Sequence, residues 1–206
     1  MLRRRYAGHI IVGAICTGIV SVLACSGPEP ETPRVIFEGR YEQGQPPSGY
    51  KPCAEVGALF TVGDFGNPNT DLPDGGKGVA STSKKDGDSE QQGNVGISCS
   101  VTPVGPDEFD VIASLNLTGA TGGTFLVSGR FKARDEQPNL AITVSKRGSN
   151  VSYRQNGACT ARYTTNIMGV AAGRVWAEIT CPAATNDSSQ TACKVVSQFR
   201  FENCAQ

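Results

Sequence analysis

The sequence predicts an all-β fold, an antiparallel two-sheet sandwich or small barrel tied by disulfides, and three observations predict it. From Val95 onward apolar and polar residues alternate in short runs separated by glycine or polar turns, the period-two pattern of strands with one buried face. Almost no segment carries a helical period; only residues 166–172 have room for a brief turn of helix. Six cysteines, Cys53, Cys99, Cys159, Cys181, Cys193 and Cys204, fall within residues 53–206, an even number that an oxidising compartment joins into three bridges.

Taken in order, residues 1–24 read as an export signal. Residues 1–6 carry Arg3, Arg4 and Arg5, and residues 10–24 are uncharged and rich in Ile, Val, Ala and Gly. At 1.5 Å per residue that run covers only about 22 Å, short of the roughly 30 Å of a hydrocarbon core, so it suits a signal better than a membrane span. It ends in Val22-Leu23-Ala24-Cys25, which resembles the lipobox of bacterial lipoprotein precursors. The resemblance implies that the Cys25 sulfur takes a diacylglyceryl group and its freed amine an acyl chain such as palmitate. Each buried methylene then adds about 0.8 kcal/mol of membrane affinity. Ser26, where aspartate would imply inner-membrane retention, favours the outer membrane.

Residues 26–34, SGPEPETPR, are an extended, solvated spacer, since three prolines and two glutamates oppose a helix. Val35, Ile36 and Phe37 follow as an edge strand or a loop packed on the domain, then a proline-rich turn, so residues 25–52 are expected to form the lipidated tether and 53–206 the β domain. Residues 57–66 are the first convincing strand, and residues 67–94, rich in Gly, Asp, Ser and Lys, a long flexible loop. Phe109, Val111, Ala113, Leu115 and Leu117 then share one face, interrupted by Ile112, and residues 119–123 turn the chain into Phe125, Val127, Gly129 and Phe131. Further strands are expected at 140–144, at 151–154 with 159–163, at 174–181 and at 194–201.

Composition excludes several classes of function. The single histidine, His9, lies in the export signal, so the rest of the chain has no imidazole for catalysis or metal binding. Without Arg3, Arg4 and Arg5 the 19 basic residues fall to 16 against 19 acidic, a net charge of −3, which argues against nucleic acid as a partner. The cysteines show no CxxC pair, so neither a metal centre nor a cofactor is expected. Fifteen pairings of six cysteines are possible. Proximity to strand ends and loops suggests Cys181 with Cys193, Cys53 with Cys99, and Cys159 with Cys204. The strings CTARY, GRVWAEITCP and FRFENC resemble cysteine-tied β-domain lipoproteins numerous in myxobacteria, which again implies export, bridges and a β fold.

Candidate sites are sparse. Asp86, Asp88 and Glu90 alternate as calcium ligands do, but Gln91 stands where the loop needs glycine and Ile97 where it needs glutamate. Asp64-Phe65-Gly66 lacks the other kinase motifs, and Gly75-Gly76-Lys77-Gly78 lacks the residues that complete a phosphate loop. Strand parity places Trp176 with Arg174 and Glu178, a platform for sugar or peptide unless a loop or second sheet covers the indole. Residues 182–191, if bridged at their base, would suit a protease-inhibitory loop. The expectation is a lipid-anchored, non-enzymatic binding or structural module with an envelope protein or polysaccharide as partner. The alternative is a carboxylate-dependent hydrolase, which needs two acids in a concave pocket, whereas loop-built surfaces favour binding.

Overall fold

A computed structural model describes residues 31–67, 73, 76–148 and 151–206; residues 1–24, expected to be an export signal, Cys25 and residues 26–30 lie outside the described residues. The strands are β1 (Arg34–Glu42), β2 (Lys51–Pro52), β3 (Gly57–Val62), β4 (Lys84–Lys85), β5 (Ser89–Glu90), β6 (Gly93–Gly105), β7 (Glu108–Leu117), β8 (Gly123–Lys132), β9 (Gln137–Lys146), β10 (Ser152–Arg162), β11 (Gly169–Ala171), β12 (Arg174–Asn186) and β13 (Thr191–Glu202). They pair in the order β3-β1-β13-β12-β10-β9-β8-β7-β6-β5, with β11 on β12, β2 on β13 and β4 on β1. Among the described strands only β2 runs parallel to its neighbour.

The sheet is antiparallel and nearly closed into a barrel. Its ends meet where Gln91 Nε2, beyond β5, donates to Thr61 O and Oγ1 on β3 at 3.3 and 3.1 Å. The C-terminal residues brace β6 as well: Val101 N donates to Ala205 O at 2.8 Å and Ala205 N to Cys99 O at 3.0 Å. Closure consumes edge hydrogen-bonding groups that would otherwise template aggregation.

Alternation decides which side chains fill the barrel. Val111, Ala113, Leu115 and Leu117 of β7 are buried, while Ile112 faces outward and is 60% exposed. Inside, Phe37 packs on Phe60 and Phe125 at ring distances of 4.6 and 4.7 Å, and Phe125 reaches Phe199 at 5.4 Å. Complete burial of each such ring contributes about 1.5–3 kcal/mol, and the packed interior is a core rather than a ligand chamber. Bulges curl the wall. Asn139, at φ 66°, sits where β9 gains a residue against β10, and Pro182 occupies a bulge of β12, a place that tolerates its missing N–H.

The tether expectation needs correction. Arg34–Glu42 is no edge strand or packed loop: it lies between β13 and β3, paired with Glu202–Lys194 on one side and Val62–Gly57 on the other. Its alternating Val35, Phe37 and Tyr41 were diluted in the sequence by Gly39, where the pairing with β3 shifts register. The loop expected at 67–94 is also largely pinned where it is described. Asp64 and Thr82 exchange backbone hydrogen bonds of 2.9 and 2.8 Å, β4 pairs with β1, and β5 with β6.

All three expected cysteine pairings are replaced. The bridges are Cys53–Cys193, Cys99–Cys204 and Cys159–Cys181. Thr160 opposite Thr180 and Ala161 opposite Ile179 put Cys159 directly across from Cys181. Parallel pairing of Lys51 and Pro52 with Thr191 and Ala192 delivers Cys53 to Cys193, and the Ser100–Ala205 contact delivers Cys204 to Cys99. Cys181 and Cys193 are instead offset, because Cys181 faces Val195 and the bulge follows. Hence residues 182–191 are no bridged protruding loop: β12 runs on to Asn186 and β13 starts at Thr191.

Candidate functional site

Parity placed Trp176 correctly, opposite Arg200 on the outer face and away from buried Val175, Ala177 and Ile179. It does not form an open platform. Phe65 stacks on the indole with centroids 6.0 Å apart and 17° between planes, and the Arg200 guanidinium carbon lies 5.3 Å from the ring centre. The segment carrying Phe65 approaches closely because Gly63, at φ 67°, has no Cβ to strike Thr82 O. Glu178, half-buried, faces Gln198 and Arg162, while Arg174 is exposed at the start of β12. The three residues therefore do not converge.

Arg174 instead belongs to an open groove of about 570 Å³ at one end of the barrel. Its walls are the β6–β7 turn (Pro106, Asp107, Glu108), the end of β8 with the turn after it (Lys132, Ala133, Arg134, Asp135), and the segment Ile167 to Ala171. Two backbone bonds and one from a side chain hold these walls together. Ala133 N donates to Asp107 O at 2.8 Å, Val170 N to Ala133 O at 3.4 Å, and Arg134 Nη1 to Asn166 O at 3.2 Å. Tyr163 Oη donates to Lys132 O at 2.8 Å, and burial, helped by the Asp135 charge, pushes its phenol pKa up. Residues 166–172, where a helical turn had room, form turns and the short β11.

The groove carries three cations, Lys132, Arg134 and Arg174, and three carboxylates, Asp107, Glu108 and Asp135. Among the described residues none of these six takes part in an ion pair. Elsewhere opposite charges do pair, as Arg162 with Glu136 at 2.7 Å and Lys194 with Glu42 at 2.7 Å. Apart from Arg174, these groove residues escaped sequence reasoning, because they lie in separate turns that only the barrel brings together. The one available signal was charge clustered at turn positions such as Pro106-Asp107-Glu108 and Lys132-Ala133-Arg134-Asp135-Glu136.

Asp86, Asp88 and Glu90 have structural work instead. Asp86 Oδ1 accepts from Ile97 N at 2.7 Å, Asp88 Oδ2 from Lys85 N at 2.7 Å, and Glu90 pairs with Lys84 at 2.6 Å. Asp64 Oδ1 accepts from Gly66 N at 2.7 Å, capping its own turn. Among the described residues no three His, Cys, Asp or Glu side chains are grouped to hold a metal ion. Compared with protein-family models, curated proteins and solved structures, the chain has no significant match.

Proposed function

We propose that this chain is a lipid-anchored envelope protein whose disulfide-tied barrel binds another envelope component at the end groove and performs no catalysis. The observation that carries the binding role is the groove itself. Three turns build it, and it presents six charged side chains that have no ion-pair partner among the described residues. Export is supported by the pairing of all six cysteines of residues 53–206, a chemistry suited to an oxidising compartment. That pairing leaves the fold no need of Cys25, which is available for the lipid.

The test is a photo-crosslinking residue at position 167, on the groove rim, in the native envelope. An adduct that disappears in the Lys132→Ala, Arg174→Ala double variant supports the reading. No adduct, or the same adduct from position 120 in the β7–β8 turn, refutes it. A carboxylate-dependent hydrolase is the second reading, favoured by Asp107, Glu108 and Asp135 sharing one concavity. It requires turnover of an envelope polysaccharide that Asp107→Asn, Glu108→Gln or Asp135→Asn abolishes without loss of groove binding.

A further inference from the structure

We infer that the groove end is the membrane-apposed face of the domain, and that its mixed charges engage the headgroups of a zwitterionic bilayer, each with a phosphate and an ammonium. The inference rests on the reading of Cys25 as lipidated.

The path of the chain points to this end. Residues 31–34 enter β1 beside the groove: Glu31 and Arg34 line a shallow depression with Arg174, and Arg174 also lines the groove. Asn203 Nδ2 fastens the entering chain by donating to Thr32 O at 3.1 Å. Cys25 precedes Glu31 by six residues, which span at most about 22 Å when fully extended. A lipid on Cys25 therefore keeps this end, rather than the end bearing the β7–β8 and β12–β13 turns, close to the bilayer.

Charge selects the kind of surface. Three cations against three carboxylates give the groove no net charge, so it lacks the polybasic character that draws proteins to anionic lipids. On a purely anionic surface Asp107, Glu108 and Asp135 oppose whatever Lys132, Arg134 and Arg174 gain. A zwitterionic headgroup satisfies both sets, its phosphate on the cations and its ammonium on the carboxylates. Apolar side chains complete the face. Ile167 on the groove wall is 51% exposed and Val104, two residues before Pro106, is 43% exposed, which suits shallow insertion at an interface.

The experiment is amide hydrogen exchange on the full lipidated chain in nanodiscs of phosphatidylethanolamine and phosphatidylcholine, against nanodiscs of phosphatidylglycerol alone. On the zwitterionic discs, amides of residues 105, 107, 108 and 166–171 should exchange on the order of tenfold more slowly than in the Cys25→Ser chain free in solution, with residues 118–122 and 187–190 unchanged. The slowing should vanish in the Lys132→Ala, Arg174→Ala double variant and in Ile167→Asp, all at exposed positions, while the lipid still holds the chain on the disc. Absence of slowing, equal slowing at both barrel ends, or equal slowing on phosphatidylglycerol discs would overturn the proposal. A chain that does not stay with the discs overturns the lipid anchor and this inference with it; a chain that stays but shows no slowing overturns only this inference.

Discussion

Removing the Cys99–Cys204 bridge should destabilise the domain more than removing Cys159–Cys181, and the difference follows from what each bridge joins. Cys159 and Cys181 lie on neighbouring strands that already pair, 22 residues apart, and closing that loop contributes about 3.4 kcal/mol on the chain-entropy relation. For Cys99 and Cys204 the shortest path with the other bridges intact runs 46 residues to Cys53, across to Cys193, and 11 residues to Cys204. Those 57 residues correspond to about 4.2 kcal/mol. This bridge also fastens the seam hydrogen bonds Val101 N to Ala205 O (2.8 Å), Ala205 N to Cys99 O (3.0 Å) and Gly173 N to Val101 O (3.1 Å). Each contributes about 0.5–1.5 kcal/mol net, so their fraying raises the loss to roughly 6–9 kcal/mol, comparable with a domain's whole stability of about 5–15. Guanidinium unfolding of the Cys99→Ala, Cys204→Ala and Cys159→Ala, Cys181→Ala double variants, followed by circular dichroism under oxidising conditions, measures the difference. If the second variant loses as much as the first, the seam does not depend on its bridge and the reasoning fails.

Three further outcomes are expected. Cys25→Ser should release the protein from washed membranes without changing its unfolding midpoint; retention in the membrane fraction would contradict lipidation as the anchor. Phe65→Ala should shift the emission of Trp176, the one tryptophan, to the red and open it to acrylamide, since Phe65 stacks on the indole; an unchanged spectrum would show that Phe65 does not cover it. Burial raises the phenol pKa values of Tyr41 and Tyr163, with the Glu55 and Asp135 charges adding respectively, so both stay protonated while folded. Their stabilising contribution is whole below the unfolded phenol pKa of about 10 and declines as pH rises beyond it. Phenolate absorbance should therefore show these two rings ionising together with alkaline unfolding, and ionisation of either ring in the folded domain would refute this.

The β-fold was legible because a one-sided burial pattern survives in the sequence wherever a strand is long and regular. The run from Phe109 to Leu117 and its partner from Phe125 to Phe131 pair along their whole length, as alternation implies. β1 was obscured because one residue of its otherwise charged outer face, Ile36, is as buried as Val35 and Phe37, so three hydrophobic residues in succession replace alternation at its start. The short β4 and β5, two residues each, carry no period at all, and only pairing with β1 and β6 defines them. Cysteine pairing failed for a related reason. Closeness in sequence favoured Cys181 with Cys193, but a bridge follows side-chain register, and in the hairpin Cys181 faces Val195 while Cys193 faces Ala184.

The candidate site was hidden by the topology that builds it. Sequence reasoning weights large residues with distinctive chemistry, hence Trp176, yet a tryptophan on a barrel's outer wall gains more from cover by Phe65 than from exposure to water. Turn residues such as Asp107, Arg134 and Asp135 look like ordinary solvated charges, and two features of the folded chain distinguish them. The walls are locked to one another by the Asp107–Ala133–Val170 backbone bonds, so the charges are held around a fixed concavity. Opposite charges within it also do not neutralise one another, although pairs form readily elsewhere on the same surface. Pairing inside the groove would shorten the reach of both partners toward a ligand. Left unpaired, all six are able to meet a surface that brings charges of both signs, and with Cys25 lipidated as proposed the chain's entry at the same end puts such a surface within the spacer's reach.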